Sequence, residues 1–258
     1  MGGEIQMRSY IDLNCDMGES FGAWQLGNDE ALMDWVSSVN IACGFHAGDP
    51  SVIRATVQMA IKKGVAIGAH PSFPDLQGFG RREIRMSDDE IFDIVLYQVS
   101  AVKGICDAFG AKLHHVKPHG ALYNQAAKNP SVALAIAAAV KSIDKNLVLV
   151  GLSGSCIIKE ARELGLKTAS EAFADRTYRM DGSLTPRSHP NALIKDAKTA
   201  IAQVLQMIRE QSVTTIEGEK LQIDVDTICI HGDSPNALEF AKAINQELNR
   251  QGIEVRPV

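Results

Sequence analysis

The sequence predicts an α/β fold, a seven-stranded parallel (β/α) barrel with a small hairpin insertion, built by residues 1–258 as one domain. Three observations predict it. Seven short apolar runs alternate with longer stretches of helical pattern from end to end. Most runs are continuous rather than alternating in polarity, as expected of parallel strands covered on both faces. Polar residues follow every run instead of gathering at one switch point, which favours a closed barrel over an open doubly wound sheet.

The predicted strands are residues 10–15, 39–43, 65–69, 113–116, 147–152, 168–173 and 226–230. Between them, Asp49-Pro50 reads as an N-cap and first helical residue, because Asp accepts from free backbone N–H groups and Pro has none to lose. Ser87 followed by Glu90 is a capping box that opens a long helix running to about residue 109. Asn129-Pro130 and Ser234-Pro235 open two more, and Gly64, Gly110 and Gly252 close helices. Residues 212–224 form the one interruption, a hairpin with Glu217-Gly218 at its turn. Residues 1–7 form an extra N-terminal segment that is expected to be disordered.

Composition excludes several classes. With 45% hydrophobic and 22% charged residues, the chain can bury a core and keep a solvated surface. A net charge of -5 argues against nucleic-acid binding, which needs a basic face to neutralise phosphates. No apolar stretch is long enough to cross a bilayer, and the N-terminus lacks the layout of a signal peptide. The five cysteines are scattered without a CxxC pair, and Cys15, Cys43 and Cys229, inside apolar runs, read as reduced core residues of a cytoplasmic protein.

In parallel α/β folds ligands meet the carboxyl ends of the strands. Those ends carry Asp12, Asn14, Asp16 and Glu19; His46 and Asp49; His70, Asp75, Arg81 and Arg82; Lys117 and His119; Glu171, Asp175 and Arg176; and His231 and Asp233. Four of the seven histidines therefore sit where a purely structural barrel has no need of them. Asp12, Asn14 and Asp16 alternate along one strand and share a face. With His46 and His70 they could form an Asp-His-His divalent-metal site open to water and substrate. The same residues can instead cap helices and satisfy backbone groups, since spacing across separate strands does not fix ligand geometry.

Lys117-Pro118-His119 projects two side chains from a rigid corner, which suits an anion and proton transfer and equally suits a surface lysine and a helix-capping histidine. Arg81 and Arg82 offer two guanidiniums for bidentate anion binding, or for structural ion pairs. The segment from Glu171 through Asp175 to Arg176 is either a self-satisfied ion-pair network or acid–base machinery. There is no P-loop. The glycine-rich turn at Gly151 to Ser155 reads equally as an anion cradle and as an ordinary strand-to-helix turn.

Taken together, the segments IDLNCDMGESFG (11–22), NIACGFHAGDP (40–50), GAHPSFPDLQGFGRRE (68–83), HVKPHGALYN (115–124), SEAFADRTY (170–178), DGSLTPRS (181–188) and IHGDSPNA (230–237) resemble the lactam-utilisation (LamB/YcsF) family. The resemblance implies a barrel related to polysaccharide deacetylases. It also implies an ATP-dependent 5-oxoprolinase activity, opening 5-oxo-L-proline to L-glutamate together with subunits B and C. ATP is then the nucleotide of the complex. Onto this sequence the resemblance carries Asp16, His46 and His70 as the metal or water-activating group, and Lys117, His119 and Arg176 toward a carboxylate or phosphate. His231 and Asp233 become a second acid–base pair, with Asn14, Arg81 and Arg82 expected to bind substrate and Glu171 and Asp175 to act in catalysis. Two other functions fit the same residues: a metal-dependent amide or carbohydrate deacetylase acting alone, and a non-catalytic lactam-binding subunit.

Overall fold

The computed structural model describes residues 9–230 and 237–258. Parallel strands β1 (Tyr10–Met17), β2 (Ser38–Ala42), β3 (Ala66–His70), β4 (Leu113–Val116), β5 (Val148–Leu152) and β6 (Lys167–Phe173) run in sequence order around a barrel. A short antiparallel pair follows, β7 (Ser212–Thr214) with β8 (Lys220–Gln222), and then β9 (Thr227–Ile230) completes the ring of seven. Closure comes from β9, which pairs with β6 on one side and with β1 on the other. β1 is long enough to serve two partners. Its residues from Asp12 to Cys15 pair with β9, while Tyr10 and Ile11 pair with the short β10 (Glu254–Val255). All seven predicted strands are present, with ends that agree to within two residues.

The helices are α1 (Asp29–Leu32), α2 (Pro50–Lys63), α3 (Asp88–Ala108), α4 (Gly120–Lys128), α5 (Pro130–Ile143), α6 (Cys156–Glu163), α7 (Ala197–Glu210) and α8 (Ala237–Arg250). Asp49 caps α2 through Ser51 N and Val52 N, at 2.8 and 2.9 Å, and its other oxygen accepts from Gly22 N. Ser87 and Glu90 form the predicted capping box of α3, and Asn129 caps α5. Gly64 ends α2 in the left-handed region that a side chain disfavours. The predicted opening of the last helix at Ser234-Pro235 lies outside the described residues, as do residues 1–7.

Two features differ from expectation. Helix α4 precedes α5 directly, because Asn129 ends one helix and caps the next. The predicted hairpin exists as β7 and β8, but it is not the one interruption. Residues 174–195 form a second excursion between β6 and α7, stitched by isolated bridges between Arg176 and Leu193 and between Tyr178 and Leu184. No helical or alternating period marks it in the sequence.

Side-chain alternation sorts the barrel into an apolar outside and a polar inside. Ile11, Leu13, Cys15 and Met17 join the main core cluster, whereas Asp12 and Asn14 are buried on the opposite face of β1. The interior also buries Asn40, His115, Lys117, Glu171 and Thr227. Lower down, Val148, Val150 and Ala169 pack with Val258 in a small second cluster. The described cysteines are all free thiols, and all but Cys156 are buried. No helix among the described residues is long and apolar enough to cross a membrane.

Gly68 tests this packing. A Cβ there would lie 2.1 Å from His115 Nε2, which is buried and forms a hydrogen bond of 2.8 Å with Asn40 Oδ1. Gly68→Ala is expected to lower unfolding stability by about 1–3 kcal/mol through overpacking. Gly104→Ala, at an exposed position of α3 with nothing within 4 Å of the new methyl, is expected to raise it by about 0.5–1 kcal/mol. Urea unfolding of the two variants beside the parent chain measures both effects.

Candidate functional site

Lys117, at the end of β4, is only 2% exposed. Its ammonium contacts Asp16 Oδ1 at 2.9 Å, Glu171 Oε1 at 2.8 Å, Asn14 Oδ1 at 3.1 Å and Cys229 Sγ at 3.1 Å. Burial alone would strip its proton, but the carboxylates of Asp16 and Glu171 and the Cys229 sulfur outweigh burial and push its pKa well above the usual value. The carboxylates are themselves held. Glu171 accepts from Asn14 Nδ2 at 3.1 Å and from the Tyr123 hydroxyl at 2.7 Å, and Asp16 Oδ1 accepts from Asn40 Nδ2 at 2.8 Å. Burial, then the Glu171 charge, keeps the Tyr123 phenol protonated.

Beside this ion group lies a cluster of donors from Glu19, His46, His70 and His119, whose ligand atoms fall within 4.8 Å of one another. Backbone acceptors set two of the tautomers. His70 Nδ1 is 2.6 Å from Lys117 O and His119 Nε2 is 2.8 Å from Phe79 O; a carbonyl only accepts, so each of these nitrogens carries the hydrogen. The other two nitrogens, His70 Nε2 and His119 Nδ1, then point lone pairs at each other across 3.0 Å. Such a contact is repulsive unless a proton or a metal cation is shared between them. His46 is fully buried, stacks on His119 with ring centroids 3.8 Å apart, and has no hydrogen-bond partner at either nitrogen. Its Nε2 lies 3.7 Å from Glu19 Oε1. Burial, then the neighbouring histidines, holds His46 neutral, and burial with His70 lowers His119 to about 3. The donor set therefore fits a cation.

Both groups open into a cavity of about 470 Å³, which falls within the size range of small-molecule clefts. Its wall includes Asp16, His70, Lys117, His119 and Tyr123 on the barrel side, and Arg176, Thr185 and Arg187 from the 174–195 excursion. Arg81 also lines it, with its guanidinium 5.0 Å from the Phe79 ring centroid.

The structure sorts the predicted residues into three groups. Asp16, His70, Lys117, His119, Arg81 and Arg176 line the cavity, with His46 buried directly behind. Asn14 and Glu171 lie beneath it as buried partners of Lys117. Arg82 does not reach it: Asp75 binds its guanidinium, its backbone N–H and Gly78 N, which fixes the loop and holds the Asp75 carboxyl below its usual range. Asp175 sits in the turn after β6 and does not line the cavity. Asp12 lies deeper, accepting from Ser37, Ser38 and Thr227, so its alternation with Asn14 and Asp16 serves the barrel interior. His231 and Asp233 lie outside the described residues.

For the metal, Glu19 and His119 complete the donor set with His46 and His70, while Asp16 stands at its edge, 3.3 Å from His70 Nε2. Sequence reasoning assigned no role to Glu19, Tyr123 or Arg187. Tyr123 was within reach of it, since it follows His119 by four residues at the start of a helix and so shares its face. Glu19 and Arg187 lie on loops without a periodic signal.

Known proteins resemble the chain over nearly its whole length. The LamB/YcsF family profile matches residues 11–258. A protein of Bordetella pertussis, named as the A subunit of 5-oxoprolinase, is 57% identical over 250 residues, covering 97% of this chain and 99% of that one. A protein of the same name from Geobacillus kaustophilus is 56% identical over 246 residues, covering 95% and 96%. The crystal structure of a lactam utilization protein from Thermus thermophilus superposes with a TM-score of 0.92 at 46% identity, covering 96% of this chain and 100% of that one.

Because His46 makes no hydrogen bond, its loss should be felt by a bound cation far more than by the fold. Dialysed against zinc, the parent chain is expected to retain about one ion, and His46→Ala to weaken retention at least about 100-fold, or about 2.8 kcal/mol. Metal content by mass spectrometry measures this, and equal retention by the two proteins contradicts it.

Proposed function

The chain belongs to the LamB/YcsF family, and on that premise we propose that it is the A subunit of an ATP-dependent 5-oxoprolinase. In this reading it works with subunits B and C to open 5-oxo-L-proline to L-glutamate while ATP is hydrolysed to ADP and phosphate. The observation that carries the reading is the meeting of two opposed imidazole lone pairs, 3.0 Å apart, with a buried Lys–Asp–Glu group on one cavity wall. Such a group suits hydrolysis, and the cavity has room for a small cyclic amide.

The chemistry follows from what a lactam lacks. An unstrained amide is poorly electrophilic because its nitrogen shares its lone pair with the carbonyl, so water adds slowly. Phosphorylation of the amide oxygen by ATP makes the carbon electrophilic. The addition of water then needs a base and compensation for developing negative charge. The adduct opens by breaking the ring C–N bond, which frees the amine and leaves an acyl phosphate, and a second water converts that to the carboxylate and phosphate. Asp16 Oδ2 is the base this site offers. Its carboxylate is partly exposed to the cavity, and its other oxygen is fixed by Lys117 and Asn40. Lys117, kept charged by its carboxylate neighbours, supplies a positive field without having to move. Tyr123 holds Glu171, and Glu171 holds Lys117, so the ammonium keeps one position. Glu19, His46, His70 and His119 would hold a divalent ion of the zinc class, contributing Lewis acidity beside the reacting carbon.

The donor cluster by itself also favours a second reading, a metal-dependent amidase acting alone. ATP dependence separates the two. Without a P-loop in the sequence, the nucleotide step belongs at an interface with subunits B and C. The isolated chain is expected to release little glutamate from 5-oxo-L-proline with ATP and magnesium. Adding subunits B and C should restore turnover, with ADP and glutamate appearing together. Rapid opening by the chain alone, independent of ATP, would support the amidase instead. In the reconstituted complex His46→Ala and His70→Ala are each expected to lower turnover at least about 100-fold, the scale of losing an acid–base or metal group.

A further inference from the structure

The cavity has two chemically different sides. In the strand ring β1-β2-β3-β4-β5-β6-β9, His46 follows β2, His70 ends β3, and Arg176 follows β6. β3 and β6 stand three strands apart, which is as far as a ring of seven allows. The histidine cluster and Arg176 therefore face each other across the mouth, and both line the same cavity or stand directly behind its wall.

Arg176 is built in rather than waving from the surface. It is 7% exposed, Nη2 donates to Thr185 O at 2.6 Å, and Nε donates to Ala192 O at 3.4 Å. Both acceptors are neutral carbonyls of the 174–195 excursion, so they aim the guanidinium without cancelling its charge. Arg187 lines the cavity from the same excursion. Among the described residues neither arginine forms an ion pair or a hydrogen bond with a carboxylate. Burial first, and then repulsion from Arg187, disfavours the charge on Arg176, and the opposing pull of Asp175 is weaker than that repulsion. Two guanidiniums turned to one cavity, with no carboxylate bonded to either, are electrostatically unfavourable. The other basic groups on the wall have neighbours of their own. Lys117 is held by Asp16 and Glu171, and Arg81 lies over Phe79.

We propose that Arg176 and Arg187 form an anion subsite on the β6 side of the cavity, where they grip an oxyanion of the substrate while its reacting carbon faces the histidine cluster. The chemistry they recognise is a planar or tetrahedral oxyanion taken by guanidinium forks. Under the lactam-opening reading, on which this identification of the ligand rests, the oxyanion is the carboxylate of 5-oxo-L-proline or a phosphoryl group placed on it. The subsite makes the site selective for lactams that carry an anion.

Titration calorimetry of the whole chain with three probes tests this: 5-oxo-L-proline, 2-pyrrolidinone (the same ring without the carboxylate) and inorganic phosphate. Arg187 is exposed, so its replacement leaves the fold intact, which thermal unfolding verifies. The parent chain is expected to bind 5-oxo-L-proline at least about tenfold more tightly than 2-pyrrolidinone. Arg187→Ala and Arg187→Glu should weaken 5-oxo-L-proline at least about tenfold and leave 2-pyrrolidinone unchanged. If the variants instead lose only phosphate binding, the subsite stands and its ligand is the phosphoryl group. If the parent binds phosphate through Arg187 but neither lactam, the subsite stands and the lactam reading falls. Variants that bind every probe as the parent does overturn the subsite while leaving lactam opening intact, and a parent that binds none of the three overturns it as well.

Discussion

The placement of one ammonium group inside the barrel governs much of the rest of this structure. Lys117 is buried on the axis side of β4, where an unpaired charge would cost several kcal/mol in lost hydration. Asp16 and Glu171 compensate it from β1 and β6, strands on either side of β9. Each compensation creates a new requirement. Glu171 needs Tyr123 and Asn14, Asp16 needs Asn40, and Asn40 needs His115, which in turn has room only because Gly68 has no side chain. The polar interior is thus a chain of satisfied demands that starts at Lys117. Removing one member strands its neighbours, which is more damaging than never having had the network.

The same group sets the electrostatics of the mouth. Two carboxylates around one ammonium leave a surplus negative charge, and Glu19 adds another beside the histidines. Opposite them stand Arg176 and Arg187. A cavity polarised in this way favours a ligand with an anionic end and a reacting end that tolerates a cation close by.

Most of the barrel was legible in the sequence because its strands are continuous apolar runs and its helices carry strong punctuation. Asp49-Pro50, Ser87 with Glu90, and Asn129-Pro130 each cap the helix they announce. The site was legible as a set of strand-end residues, since parallel strands in one barrel bring all their carboxyl ends to one mouth. Finer roles were not. Arg81 and Arg82 are adjacent and identical, and only the position of Asp75 decides that the second serves the loop and the first the cavity. Asp12, Asn14 and Asp16 share a face, but depth along the strand separates a structural acid from one that meets the cavity. Arg187 had no readable role because the excursion that carries it has no period, only a path fixed by isolated bridges within it.

The histidine cluster depends, finally, on residues with no chemistry at all. The loop from Ser72 to Arg82 folds down onto it, and Phe79 O at the loop's tip fixes the His119 tautomer. That descent requires Gly80 in the left-handed region, where a Cβ would meet Ser72 Oγ at 2.2 Å, His119 Cδ2 at 2.8 Å and His46 Cβ at 2.9 Å. It also requires Gly120, whose Cβ would lie 2.4 Å from Gly80 O. A side chain at either position pushes the loop away from the rings and frees His119 to rotate. The opposed lone pairs of His70 and His119 would then relax apart, and the cluster would lose the repulsion that fits it for a cation. Two glycines far apart in sequence are therefore as necessary to the geometry of the cluster as the imidazoles that form it.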